Sequence, residues 1–172
     1  TISITQTGAT GGTATVGAIG TDINDVVITA PTIKLGGNIT TALDENGAGT
    51  ADDDAASIDL NGAVVVDADI TLTTGNGTID FSGAVDSVAD GAKDLTIVSG
   101  TGTATFNGAI GTATSGSSTK GALGTLTVNS AGAGDITFAT NADIGTNTVA
   151  GASRILVGNG ATGTLALNGS FY

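Results

Sequence analysis

The chain of 172 residues contains no cysteine, histidine, tryptophan or methionine, and only one proline, one tyrosine and four phenylalanines. Without cysteine it forms neither a disulfide framework nor a thiolate zinc site, and without histidine it forms no Ser-His-Asp catalytic arrangement. Paired carboxylates can cleave glycosidic bonds, but such sites also need the aromatic platforms and positioned donors that this composition lacks. We therefore predict that the chain is not an enzyme.

Positive charge is almost as scarce, with four Lys and Arg against sixteen Asp and Glu, which gives a net charge of −12. Nucleic-acid binding depends on Lys and Arg side chains that neutralise phosphates, so this balance argues against a nucleic-acid partner. The same acidity disfavours an anionic membrane surface and is compatible with bound cations. No apolar run approaches the ~20 residues that a membrane-spanning helix needs, so we predict no transmembrane segment.

What the chain does contain is glycine, 29 residues of it, and short stretches in which apolar and polar residues alternate. Alternation with a period of two is typical of strands that bury one face. Good helix formers other than alanine are few, so the sequence predicts an all-β chain. The clearest such stretches are ISIT (2–5), ITLT (70–73), LTIV (95–98) and LTVN (126–129).

One motif recurs along the chain: apolar, any residue, apolar, any residue, glycine, any residue, apolar. Several copies follow a second strand and a glycine-rich bend, which is the organisation of a repeat protein. We interpret the N-terminal ISITQTGATGGTATVGAIG as a degraded copy and predict about six to seven irregular coils. The motif opens at Ile33, Ile58, Ile79, Ala104 and Leu165, with a looser copy at Ile136 that lacks the glycine.

Two folds compete for this pattern. Asn-Gly occurs six times and is a strong hairpin signal, which favours an antiparallel β-sandwich or jelly roll. In a tight hairpin at Ser82-Gly83, however, Val85 would face Asp80 and each face would mix apolar with polar residues. If the chain runs straight, Ile79, Phe81, Gly83 and Val85 share one face. The sequence therefore favours a single-stranded parallel β-helix, or β-solenoid, and the sandwich stays as the alternative.

The repeats extend over the whole chain, so we predict a single all-β repeat domain at 1–172. Residues 1–54 form degenerate coils with an acidic insertion at 44–57, and 55–172 hold the clearer repeats. The first residue is Thr1 rather than Met, and we expect a processed chain or an excerpt. Neither end reads as a polar capping unit, so we expect the ends to meet flanking repeats or other copies head to tail.

The segment LTIVSGTGTATFNGAIG (95–111) resembles the passenger regions of large secreted bacterial adhesins, such as autotransporters and filamentous-haemagglutinin-like exoproteins. The resemblance covers most of 55–172 and more weakly 1–54. It is one of style, namely degenerate repeats rich in Gly, Thr and Asn that are acidic and free of cysteine. It implies a right-handed β-helix on a bacterial surface, used for adhesion or as a stalk, and it transfers no functional residue.

The densest polar run is LDENGAGTADDDAAS (43–57). Calcium takes six to eight oxygen ligands and is often bound by flexible glycine-containing loops. The acids do not have the spacing of an EF-hand, and a solvated loop between coils is the alternative interpretation. Calcium is the one cofactor that the sequence suggests. Its candidate ligands are Asp44, Asn46, Asp52, Asp53 and Asp54.

Together these features predict a non-enzymatic extracellular structural protein, either a surface stalk or a self-assembling filament subunit. We expect it to be secreted or displayed on a bacterial or archaeal cell surface, with other copies or flanking solenoid repeats as partners. The alternative is an adhesin segment that binds a host or neighbouring-cell surface through loops 44–57 and 112–121. Neither loop has an aromatic residue, which favours the scaffold over the binder.

Overall fold

The structure is a computed structural model in which the described residues form β-strands and no helix. These residues are 1–7, 11–20, 23–41, 56–89, 91–112, 121–129, 134–145, 152–158 and 163–172. The strands are β1 (Ile2–Thr5), β2 (Thr13–Val16), β3 (Val26–Leu35), β4 (Ile39–Thr41), β5 (Ile58–Val66), β6 (Ile70–Thr74), β7 (Ile79–Phe81), β8 (Val85–Ser87), β9 (Leu95–Val98), β10 (Ala104–Phe106), β11 (Leu123–Asn129), β12 (Ile136–Phe138), β13 (Ala152–Gly158) and β14 (Leu165–Leu167).

Two parallel sheets form the molecule. The first has the order β1-β3-β5-β7-β10-β12-β14, with β2 beside β3 and β8 beside β5, and the second has the order β13-β11-β9-β6-β4. From β3 onward, strands of one sheet alternate with strands of the other, except that β7 and β8 both belong to the first sheet, and strands pair with their counterparts in neighbouring turns. This arrangement confirms the parallel β-solenoid. The antiparallel sandwich is wrong, since every pair of named strands is parallel.

The number of coils differs from the prediction. Where both sheets continue, the chain makes about four turns, so the predicted six to seven coils are not confirmed. Two expected copies do not complete a turn of their own. Ile33 lies inside β3, the strand that begins at Val26, and β14 is followed by no second-sheet strand among the described residues.

The repeat copies stack in register, with one exception. The openings at Ile58, Ile79, Ala104, Ile136 and Leu165 are all aligned across the first sheet. The copy assigned to Ile33 is wrong, because Val26 is the residue that pairs with Ile58, and Ile33 pairs with Val64. The expectation that the N-terminal segment is a degraded copy fits β1 and β2, which both pair with β3.

The chain runs straight through Asn61-Gly62 and keeps its register across Ser82-Gly83. β5 is one continuous strand across Asn61-Gly62. β7 and β8 pair with β5 at the same offset, since Ile58 faces Ile79 and Val64 faces Val85. The segment between β7 and β8 therefore keeps the register of the strand below it and makes no hairpin.

The recurring glycine of the motif is explained by close approach between coils. A Cβ on Gly83 would lie 2.5 Å from the carbonyl oxygen of Gly62 and 2.8 Å from the nitrogen of Ala63. A Cβ on Gly108 would in turn lie 2.5 Å from the carbonyl oxygen of Gly83. At this position each coil rests on the backbone of the coil before it, which leaves no space for a side chain.

The core consists of columns, by which we mean side chains at equivalent positions of successive coils. One column contains Phe81, Phe106 and Phe138, all fully buried. The ring centroids of Phe81 and Phe106 are 4.8 Å apart and those of Phe106 and Phe138 are 4.9 Å apart, with interplanar angles of 5° and 4°. The rings therefore stack along the solenoid axis. Each of these three rings gains its burial from the coils on both sides.

Candidate functional site

The predicted calcium ligands lie outside the described residues. This holds for Asp44, Asn46, Asp52, Asp53 and Asp54, so the calcium site remains a prediction. Among the residues that the structure does describe, no three acidic side chains lie close enough together to hold a metal ion.

The bases of the two predicted recognition loops can be placed, although most of each loop falls outside the described residues. At the end of loop 44–57, the carbonyl of Ala56 accepts a hydrogen bond from the buried Thr41 hydroxyl at 3.2 Å. At the end of loop 112–121, Gly121 forms an antiparallel bridge with Ser87, with both N–H···O distances at 2.8 Å. Both loops therefore leave the solenoid from anchored positions.

Acidic residues elsewhere bind the coils to one another. The Asp69 carboxylate accepts the Asp94 backbone N–H at 3.0 Å, and the Asp94 carboxylate accepts the Thr125 backbone N–H at 2.7 Å. Two further carboxylates do the same near the C-terminal end, Asp135 for Thr164 at 2.6 Å and Asp143 for Ser170 at 2.7 Å. Each acid on one coil thus accepts an N–H group from the next coil.

Amide side chains play the same part at two positions. Asn38 Oδ1 accepts the Thr71 N–H at 2.8 Å, and Asn76 Oδ1 accepts the Thr101 N–H at 3.2 Å and its hydroxyl at 2.7 Å. Carbonyl and carboxylate oxygens are interchangeable as acceptors, although a charged acceptor makes the stronger bond. We call this set the inter-coil acceptors: Asp25, Asn38, Asp69, Asn76, Asp94, Asp135 and Asp143.

Asp25 is the most heavily bonded of the inter-coil acceptors. Its Oδ1 accepts both the backbone N–H and the hydroxyl of Ser57 at 3.0 Å, and its Oδ2 accepts the Thr1 hydroxyl at 3.1 Å. The bond from the Ser57 N–H lowers the pKa of the Asp25 carboxyl, against a smaller opposing effect of burial. Asp25 therefore joins its own segment to Thr1 and to Ser57.

Two carboxylates stack on the outer face of the first sheet. Asp59 and Asp80 are register partners on β5 and β7. Partial burial, then the charges of Asp80 and Asp25, raise the pKa of Asp59. Partial burial also raises the pKa of Asp80, while a hydrogen bond from the Asn107 amide at 3.0 Å acts in the opposite direction.

The two ends of the solenoid differ from its middle. We define the C-terminal face as Leu165, Leu167 and Phe171, and the N-terminal face as Ile2, Ile4 and Ala14. The three residues of the C-terminal face are 40%, 51% and 40% exposed. At the N-terminal face, Ile2 and Ile4 are half-buried against the core and Ala14 is buried. Among the described residues, these faces are where the apolar columns of the first sheet begin and end.

Sequence reasoning missed the inter-coil acceptors. Six of the seven stand directly before a buried apolar residue at a strand or bridge, as in Asp94-Leu95 and Asp135-Ile136. This Asx-apolar step is a signal that could have found them. Asp67 is partly exposed and forms an ion pair with Lys34 at 3.0 Å.

Comparison with protein-family models, with curated proteins and with solved structures gave no match. The likeness to adhesin passenger regions therefore remains one of sequence style. The described residues include no helix that is long and apolar enough to cross a membrane.

Proposed function

We propose that this chain is a non-enzymatic structural protein, a solenoid segment that works outside the cell as a stalk or as part of a filament. The observation that supports the proposal is that many of its polar side chains form hydrogen bonds between coils. The inter-coil acceptors bind neighbouring coils along the stack, from Asp25 near the N-terminal end to Asp143 near the C-terminal end. These polar side chains thus contribute to the cohesion of the stack.

The apolar columns support the same function. A stack in which each coil contacts only its neighbours is quasi-one-dimensional, and its stability accumulates along the axis. The three stacked phenylalanines and the close approach at the recurring glycine of the motif fix the position of each coil relative to the next. Such a body keeps its shape without a ligand, which suits a spacer or stalk.

Handedness and location are further parts of the proposal. A connection between parallel strands of one sheet is right-handed in almost all proteins, so we propose a right-handed solenoid. The acidic, cysteine-free composition and the likeness in style to secreted adhesins support a bacterial or archaeal surface as its location. Calcium bound by Asp44, Asn46, Asp52, Asp53 and Asp54 enters as an accessory, supported by the composition of that run.

Hydrogen exchange of the dilute, ligand-free chain tests the structural role. We expect the amides of β5, β7, β10 and β12 to be protected to the same extent in calcium and in excess chelator. Protection that appears only with calcium would make the metal part of the fold. Low protection in both conditions would contradict a self-supporting structural protein.

The adhesin alternative is tested by shortening the loops. Replacing 113–120 with a short glycine linker keeps the Ser87–Gly121 bridge, so we expect the solenoid to stay folded. The matched control shortens 44–55 and keeps Ala56 and Ser57. A structural role predicts that both variants still support cell-surface assembly. Loss of cell binding in either variant, with protection unchanged, would favour an adhesin.

A further inference from the structure

We propose that the Asn107-Gly108 peptide is a site of spontaneous deamidation, and that its aspartate product loosens the contact between the coils of β7 and β10. The reaction needs water and no enzyme, and the inference is independent of the proposed structural function. It rests on which atom of an asparagine side chain faces the neighbouring coil. A second Asn-Gly dipeptide, Asn76-Gly77, presents the other atom, so the same chemical change has a different consequence there.

The reaction is a ring closure followed by hydrolysis. The backbone nitrogen of Gly108 attacks Cγ of Asn107 and forms a C–N bond, and the side-chain nitrogen leaves as ammonia, which takes up the proton that the backbone nitrogen loses. Water then opens the cyclic imide. Attack at Cγ produces aspartate, and attack at the backbone carbonyl carbon produces isoaspartate, in which the chain continues through Cβ and Cγ. No electrons are transferred. Such a covalent change alters charge and hydrogen bonding without any change in the encoded sequence.

The backbone around Asn107 permits this ring closure. Strand β10 ends one residue earlier, Asn107 is exposed, and Gly108 lies in a bend. Gly108 has no side chain to hinder the approach to Cγ, and among the described residues no backbone carbonyl accepts its N–H. Asn61-Gly62 differs, because it lies inside the continuous strand β5, where pairing with β3 holds the backbone extended. We therefore expect Asn107 to react faster than Asn61 in the folded chain.

The Asn107 side chain is a hydrogen-bond donor to the preceding coil. Its Nδ2 donates to Asp80 Oδ1 at 3.0 Å. An ionised carboxylate only accepts hydrogen bonds, so the amide must present its nitrogen here. Deamidation replaces that nitrogen with oxygen, which removes the donor and sets a new negative charge beside Asp80. Asp80 already has Asp59 as its register partner, and like charges on neighbouring strands are destabilising.

The Asn76 side chain is a hydrogen-bond acceptor from the following coil. Its Oδ1 accepts the Thr101 N–H at 3.2 Å and the Thr101 hydroxyl at 2.7 Å. A backbone N–H only donates, so the amide must present its oxygen here, and its nitrogen takes no part in this contact. Aspartate at this position keeps the acceptor oxygen and makes the bond charge-assisted. Conversion of Asn76 to aspartate therefore preserves the inter-coil bond.

The two products can be made directly as Asn107→Asp and Asn76→Asp, a matched pair with the same change of atoms and of charge. At pH 7 we expect the melting temperature of Asn107→Asp to fall by about 2–4 °C, and that of Asn76→Asp to stay or rise. Circular dichroism verifies that both variants fold. Equal melting temperatures for the two variants at pH 7 would overturn the proposal.

The pH dependence separates charge repulsion from a loss of packing. The charged groups that face position 107 are Asp80 and, one coil further, Asp59, while β12 on the other side carries no charged residue. The deficit of Asn107→Asp should shrink as the pH falls toward 3.8, the ordinary pKa of these carboxyls, because they take up protons. A deficit that is the same at every pH would contradict the assigned contact.

Ageing of the folded chain tests whether the site reacts. Peptide mapping by mass spectrometry detects the replacement of NH2 by OH, and a sample aged in guanidinium provides the unfolded reference. We expect product at Asn107 before product at Asn61, and a melting temperature that falls as product at Asn107 accumulates. The control Asn107→Gln keeps an amide donor but closes its larger ring far more slowly, so its melting temperature should not change with age.

Two results of the ageing experiment would overturn the proposal. One is a folded chain in which Asn107 stays intact after the unfolded reference has reacted. The other is an aged chain that is converted at Asn107 and still melts like fresh protein. Either result would leave the stack and its structural function standing, since hydrogen exchange of the fresh chain tests those separately.

Discussion

Phe106 and Leu167 occupy the same column of the same sheet, yet they differ completely in environment. Phe106 lies between Phe81 and Phe138 and is fully buried, whereas Leu167 follows Phe138 and is 51% exposed. Both stand at the third position of the same repeat motif. The comparison shows that in this solenoid burial depends on having a coil on each side, and that the sequence motif alone does not confer it.

The largest contrast is expected from shortening these two side chains. Phe106→Ala opens a cavity in a stacked column and should lower the free energy of unfolding by about 3–5 kcal/mol. Leu167→Ala should lower it by well under ~1 kcal/mol in dilute solution, because the side chain is half exposed there. Urea denaturation of the two variants measures both values. Equal losses would mean that the C-terminal coil is covered as fully as the middle.

A second contrast uses glycine. Gly108→Ala places a Cβ 2.5 Å from the Gly83 carbonyl oxygen, so coils must move apart, and we expect a loss of about 1–3 kcal/mol. Gly17, near the N-terminal end, has no atom within 4 Å of its Cβ position, and Gly17→Ala should be nearly neutral. Thermal melts compare them. An unchanged melting temperature for Gly108→Ala would refute the close approach of the coils at this glycine.

Removing an inter-coil acceptor should have a smaller effect. Asp94→Ala leaves the Thr125 N–H to water and should lower the free energy of unfolding by about 0.5–1.5 kcal/mol, while Asp94→Asn keeps an acceptor oxygen and should lose less. Asp143→Ala, which releases Ser170 near the C-terminal end, should raise hydrogen exchange there and leave global stability unchanged. A global loss from Asp143→Ala as large as that from Asp94→Ala would contradict the distinction between end and middle.

The smallest effect concerns pH and the stacked carboxylates. Because burial and the neighbouring acids raise the pKa of Asp59 in the folded state, the fold binds that proton more tightly than the unfolded chain does. The stability from this group is full below its ordinary pKa of 3.8 and is lost as the pH rises through the raised value. Asp59→Asn should therefore raise stability at pH 7 and flatten this loss. An unchanged pH profile of the melting temperature would argue against the stacking. The pKa of Asp25 is lowered, so its contribution to the stability of the fold is lost as the pH falls below 3.8. The pH range of this loss lies below that of Asp59, so the two effects can be distinguished.

The sequence was sufficient to predict the parallel solenoid because the parity of Ile79, Phe81 and Val85 survives only if the chain runs straight. It misplaced the copy at Ile33 because IKLGGNI matches the motif, although it forms the second half of β3, which begins at Val26. The register shift between Thr29 and Thr32 accommodates Pro31, since a bulge tolerates a residue without a backbone N–H.

A local Asx-apolar step marks most of the inter-coil acceptors, but it does not identify the groups that they bind. Asp94 and Thr125 lie 31 residues apart along the chain, and only the stacking of coils brings them together. An acid before a strand looks like any solvated turn until the next coil is placed. The sequence indicated that LALNGSFY is not a polar cap, but which of its side chains are exposed depends on the stack, since the same motif is buried elsewhere. The calcium ligands and both recognition loops stay predictions.

Pulsed electron paramagnetic resonance on spin-labelled cysteine pairs tests the central claim, the in-register parallel stack, most directly. Val27, Asp59, Asp80, Thr105, Thr137 and Ala166 are successive partners across the first sheet. At ~4.8 Å per strand we expect about 19 Å for Val27→Cys/Thr137→Cys and about 24 Å for Val27→Cys/Ala166→Cys. Distances that grow by one strand spacing per coil would establish the stack. Two distances that are equal, or that shorten at Ala166, would contradict it.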